Sequence, residues 1–195
     1  MSRPQVCVRR LDDSLKPELE QLWVRYRIEA GCAEETALRS AADGTLWSIV
    51  GREGVVTFVA CLDTEAVGYL VLSDSVGGLL TDAPSTAIDQ LYVSSAWRHH
   101  GVARQLLAAA AAHADRVGAD TIITNVPSQG RDANRFFARL GFWPTVVRRV
   151  TTPAALQRRL AAHTDGMLGL EQVLHRRRTA RLRAGRQRAT AVREV

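Results

Sequence analysis

A strand, a helix and a second strand follow one another without a break over residues 86–126, and no other feature of the chain limits its fold so much. "TAIDQLYVSS" reads as a strand, "VARQLLAAAAAHADRVG" as a strong helix ending at Gly118, and "DTIITNV" as a strand again. That order requires a parallel strand pair joined by a right-handed crossover, because a two-residue turn cannot connect parallel neighbours. A ligand crevice is then expected beyond the carboxyl end of the first strand, where the helix begins.

The remaining segments add to this unit. "QVCVRRL" is a first strand, "SLKPELEQLWVRYRIEAG" a helix closed by Gly31, and "AEETALRSAAD" a second short helix. "VVTFVACL" and "AVGYLVLS" flank "DTE" and form an antiparallel hairpin. "SVGGLLTDAPS" reads as a loop from its glycines and proline, "RDANRFFARLG" as a helix, and "FWPTVVRRV" as a final strand. The expected architecture is α/β: a mixed central sheet with helices on both faces over residues 1–150. From Pro153 the chain turns helical and basic, so 151–195 is read as an arginine-rich C-terminal extension.

Charge separates the same two parts. The formal net charge is +6, yet His175 to Val195 holds eight arginines against one glutamate, so the domain itself is close to neutral. The tail has no aromatic residues for base stacking and no sustained apolar stripe. It is either a solvated segment or a phosphate-driven, sequence-independent contact to an anionic partner such as RNA. No apolar run reaches the roughly 20 residues that cross a bilayer, and "MSRPQVCVRRLDD" lacks the apolar centre of a signal peptide, so a cytoplasmic location without membrane contact is expected. Cys7, Cys32 and Cys61 are widely spaced and read as small core residues; neither a disulfide framework nor a metal site is indicated.

The chemistry concentrates between strand and helix, in "RHHGVA" (98–103). Amides at a helix start have no carbonyl one turn back and lie at the positive end of the helix dipole, which favours a phosphate or pyrophosphate. A Walker loop needs a lysine that is absent here, and a dinucleotide fingerprint needs more glycines than the one present. What remains, R-x-x-G-x-A after a strand, resembles the acetyl-CoA signature of the GNAT acetyltransferase family, written Q/R-x-x-G-x-G/A. "IDQLYV" resembles that family's fourth strand and "DANRFFARLGF" its later helix with the following Gly-Phe.

The resemblance implies acetyl-CoA as co-substrate. By matching position, Leu91, Tyr92 and Val93 are expected on the pantetheine arm, and Arg98, His99, His100, Gly101, Val102, Ala103 and Arg104 at the diphosphate, with Asn134 and Phe137 of the later helix as further cofactor contacts. His99 and His100 fill the variable positions of the loop, so their side chains either face solvent or touch the cofactor's phosphates. Acetyl transfer needs an amine with a free lone pair, hence a base. Asp89 is the candidate. On a regular strand it shares a face with Leu91 and Val93, whose apolar surroundings would raise its pKa; the alternative is an edge aspartate facing solvent.

Protonation of the leaving thiolate is less well provided for. Phe137 stands where the family often has tyrosine, leaving Tyr92, a water or bulk solvent. Asp12, Asp13, Glu18, Glu20, Glu29, Glu34 and Glu35 make the N-terminal region acidic, which either suits a cationic acceptor or is an ordinary solvated face. Such an acceptor would be a small-molecule amine, for example a polyamine or aminosugar antibiotic, or a protein lysine or N-terminus. Trp23, Tyr26 and Trp47 line that acceptor region or belong to the core. The competing reading is a non-catalytic acetyl-CoA sensor or scaffold whose basic tail holds RNA.

Overall fold

Five strands pair in chain order: β1 (Val6–Arg10), β2 (Val55–Leu62), β3 (Glu65–Gly78), β4 (Thr81–Val93) and β5 (Thr121–Thr124). The first three junctions are antiparallel; β4 and β5 are parallel, as the strand, helix, strand order requires. The helices with both ends among the described residues are α1 (Lys16–Glu29), α2 (Glu34–Ala42), α3 (Thr45–Val50), α4 (Val102–Val117) and α5 (Arg131–Arg139). The computed structural model describes residues 6–78, 81–127, 129–145 and 149–160. Its backbone divides into two units, Met1–Phe136 and Phe137–Val195.

In the first unit the sheet is covered on both faces. Leu15, Leu19, Leu22 and Trp23, with Ala41 and Leu46 of the short helices, pack on Val59, Cys61, Tyr69, Val71 and Tyr92. Tyr26 and Trp47 are partly buried against this cluster, so these aromatics belong to the core. The alternate positions Phe58, Ala60, Leu70 and Leu72 are buried on the other face, as the period of two demands. There α4 buries Val102, Leu106, Ala110, His113 and Ala114, a single stripe at helical spacing.

Several expectations are corrected. "SVGGLLTDAPS" is mostly strand: β3 continues to Gly78 and β4 starts at Thr81, with Val76 opposite Pro84 and Gly78 opposite Thr81. A ladder partner across a hairpin outweighs the local breaking tendency of Gly77, Gly78 and Pro84, and a register shift between Val76 and Gly78 absorbs the misfit. "FWPTVVRRV" is no strand at 142–145 or 149–150; its centre lies outside the described residues. Of the cysteines, Cys61 is buried and Cys32 half-buried, but Cys7 is exposed because β1 is the edge of the sheet. Of the extension 151–195, residues 153–160 are helical and 161–195, with the arginine-rich tail, lie outside the described residues. No helix among the described residues is long and apolar enough to cross a membrane.

Among the described residues His113 is the one histidine in the core, 5% exposed, its ring edge-on to Phe58 and its Nδ1 lacking a partner. Burial pulls its pKa below 6.5; the Arg116 and Arg10 charges act the same way and Asp74 opposes them. The unfolded chain therefore takes up a proton near pH 6.5 that the folded chain refuses, and stability falls as pH drops below that value. Urea titrations of parent and His113→Leu at pH 7.5 and 5.5 should show a smaller loss on acidification in the variant. An equal loss in both removes this role for His113.

Candidate functional site

β5 pairs with β4 only from Ser85 to Ile88. Beyond Ile88, β4 runs on for five residues, Asp89 to Val93, bonded to β3 on one side and released by β5 on the other. This leaves the Asp89 to Val93 edge without a strand partner on the β5 side, at the carboxyl end of the parallel pair, where a ligand crevice was expected. Gly68 allows β3 to close against this end: a Cβ there would meet the Tyr92 carbonyl oxygen at 2.7 Å.

Asp89 sits at an irregularity. Gln90 lies opposite Val71 but Ile88 lies opposite Leu72, so β4 has one residue more than β3 between these pairs, and Asp89 is that residue. It is exposed. The bulge breaks the alternation that would have put Asp89 on a shared face with Leu91 and Val93, and the apolar surroundings expected for it are absent.

After β4 the chain turns through a short 3-10 segment, Ser95–Trp97, into Arg98, His99 and His100. His99 has φ 67° and Gly101, the N-cap of α4, has φ 86°. The first bonds back to Gly101 are from the Arg104 and Gln105 amides to its carbonyl, at 3.0 and 3.2 Å. The Val102 and Ala103 amides thus stand at the open end of a 16-residue helix. Nothing lies within 4 Å of where a Gly101 Cβ would be, so the space beside Gly101 is open.

The side chains of the loop do other work. Both histidines are exposed. His100 Nδ1 lies 2.8 Å from the Arg98 carbonyl oxygen, to which it donates, and its ring stands edge-on to Trp97. Arg98 turns back: Nε donates to the Val93 carbonyl oxygen at 3.1 Å and Nη2 donates to Glu29 Oε2. Tyr92 donates its hydroxyl to the other Glu29 oxygen at 2.9 Å, between the rings of Tyr26 and Tyr69. Burial first, and the Glu29 carboxylate second, push the Tyr92 phenol up to about 12. That hydroxyl is taken, and on the face of α1.

The strand end and the loop therefore bring Asp89, Leu91, Tyr92, Val93 and Arg98 to Arg104 onto one continuous run beside the α4 start. Asn134 has a local role: its Nδ2 donates to the Pro127 and Gly130 carbonyls, tying the loop before α5 to that helix's own first turn. Phe137 belongs to the second unit, where it is buried and edge-on to Phe142 at 5.1 Å.

The acidic N-terminal region is largely used internally. Asp12 accepts from Ser14 and Arg9, Asp13 pairs with Lys16, Glu20 accepts from Trp47 Nε1, and Glu29 is engaged as above. Glu18 differs: its Oε2 is buried without a partner among the described residues, beside a small cavity that Glu65, Arg25 and Thr64 also line. Sequence reasoning had no means of finding the Glu29 contacts, which join residues 63 and 69 positions apart.

A family model described as "Acetyltransferase (GNAT) family" matches residues 16–142. No curated protein matches the chain by sequence. Among solved structures it is similar to a transcriptional regulator from Bacillus halodurans C-125, at 21% identity and TM-score 0.59 over 76% of this chain and 99% of that one. It is similar to an aminoglycoside N-acetyltransferase in complex with CoA, at 19% identity and TM-score 0.60 over 76% and 94%. An aminoglycoside acetyltransferase from an uncultured soil metagenomic sample gives 17% and 0.59 over 75% and 95%. At these identities the likeness establishes the fold.

Proposed function

The chain belongs to the GNAT acetyltransferase family, and from that premise we propose that it moves an acetyl group to a primary amine by direct attack of the amine. Family membership makes it an acetyltransferase with acetyl-CoA as co-substrate, which supplies the acetyl group as an activated thioester. The observation that carries the residue-level reading is the end of β4–β5 pairing at Ile88, beside a helix start whose Gly101 has open space around it. The unpaired edge of Asp89 to Val93 suits an extended amide-bearing arm, and the Val102 and Ala103 amides suit a diphosphate. These features are backbone features, so the identities of His99 and His100 matter little to them.

Asp89 is the base in this reading. It is exposed at the bulge, within the run that holds the cofactor, and takes the proton that the acceptor nitrogen must lose. No phenol is assigned to the thiolate: the Tyr92 hydroxyl is engaged by Glu29, and Phe137 has none. The thiolate takes its proton from water, which suffices for so weakly basic a leaving group.

The acceptor class is a cationic amine, either a small molecule such as an aminoglycoside or polyamine, or a protein lysine or N-terminus. Similar folds that act on aminoglycosides support including those compounds first. The test is release of free thiol from acetyl-CoA across a panel of these amines, paired with calorimetry of acetyl-CoA binding. Turnover is expected on at least one amine. Binding with no turnover on any would favour the sensor reading, in which the tail holds RNA.

A further inference from the structure

We propose that Glu29 is a positioning residue for acetyl-CoA: it sets the phosphate loop relative to the β4 edge by holding the Arg98 guanidinium and the Tyr92 hydroxyl at once. This rests on the reading that β4 and the start of α4 hold the cofactor.

Glu29 is the last residue of α1, where the helix dipole disfavours a carboxylate. Its place there is explained by its partners. One oxygen accepts from Tyr92, which is 4% exposed and packed between Tyr26 and Tyr69, so this end of the contact is fixed by the core. The other accepts from Arg98, whose Nε at the same time donates to the Val93 carbonyl oxygen. The four residues close a ring through helix, strand and loop: Glu29 to Tyr92, along the chain to Val93, Val93 to Arg98, and Arg98 back to Glu29.

An exposed ion pair between two free side chains contributes little, because both must be ordered to make it. Here one side is already ordered, and charge-assisted hydrogen bonds to a planar guanidinium have a defined direction. Arg98 stands immediately before His99 and Gly101, the two left-handed residues that turn the chain into α4. Fixing Arg98 fixes where that turn begins, and so where the Val102 and Ala103 amides point. It also neutralises a carboxylate near the position assigned to a diphosphate. Glu29, grouped in the sequence with carboxylates facing an acceptor, thus serves the cofactor side.

Glu29→Gln removes the charge: Arg98 can only donate while the Tyr92 hydroxyl can also accept, so the amide oxygen faces Arg98, Nε2 faces Tyr92, and the loop contact is left neutral and weaker. Calorimetry should show acetyl-CoA binding weakened about tenfold, with the acetyl-CoA KM raised to match and kcat within about twofold. Arg98→Ala, which also removes the Val93 contact, should lose at least as much, and the double variant should be no worse than Arg98→Ala alone, because the Glu29 contact is already gone there. Additive losses, or Glu29→Gln binding acetyl-CoA unchanged or more tightly, overturn the proposal. Gly101→Glu, measured alongside, separates the two levels. If it abolishes binding while Glu29→Gln does not weaken it, only the role of Glu29 falls. If neither variant weakens binding, the cofactor site itself is misassigned. Arg98→Ala tests the same contact from the other partner should Glu29→Gln fail to fold.

Discussion

Gly101→Glu should weaken acetyl-CoA binding by at least about a hundredfold in calorimetry, without unfolding the protein. Two effects add. The residue sits at φ 86°, where a side chain costs roughly 1–2 kcal/mol, and a glutamate places negative charge at the helix start assigned to the diphosphate. Like charges about 4 Å apart near a protein surface repel by roughly 4 kcal/mol, and each 1.4 kcal/mol is about a factor of ten in affinity. The charge is therefore the larger effect. Gly101→Gln separates the two, because glutamine meets the same left-handed backbone but carries no charge; its loss should stay near tenfold. Nothing lies within 4 Å of the position a Cβ would take, so neither variant disturbs the packing of α4. Unchanged affinity in Gly101→Glu would move the diphosphate away from this helix.

The helix start was legible in the sequence because everything it needs is local: a strand, one glycine and an apolar stripe. The parallel pair followed from element order. What stayed hidden depends on partners far along the chain. The β3 and β4 extension past Ser73 has glycines and a proline that locally favour a turn, and only the facing strand turns them into ladder. α3 is six residues long, too short to show a helical period. The Asp89 bulge is a mismatch between two strands, so neither strand's own letters record it. The same holds for Glu29, an unremarkable carboxylate until the fold brings Tyr92 and Arg98 to it. Where this site departs from local regularity, at the bulge and the ring of contacts, pairing decided the outcome and periodicity could not.

Asp89→Asn should lower acetyl transfer by about a hundredfold or more, the range that general-base catalysis contributes, while leaving acetyl-CoA affinity unchanged. The separation follows from where the parts lie. The strand's backbone edge serves the cofactor and asparagine leaves it intact, whereas the carboxylate alone can accept the acceptor's proton. The substitution is isosteric at an exposed bulge position, so thermal stability should stay close to that of the parent. Raising the pH offers a second measurement. If the lost function is proton removal from the amine, higher pH supplies more neutral amine from solution, and the gap between Asp89→Asn and parent should narrow as pH approaches the acceptor's own pKa. A gap that is constant with pH would mean that Asp89 orients the acceptor without taking its proton. Full activity at neutral pH would move the base to water or to Glu18, Glu34 or Glu35, since Glu20 is engaged by Trp47 and Glu29 by Arg98 and Tyr92.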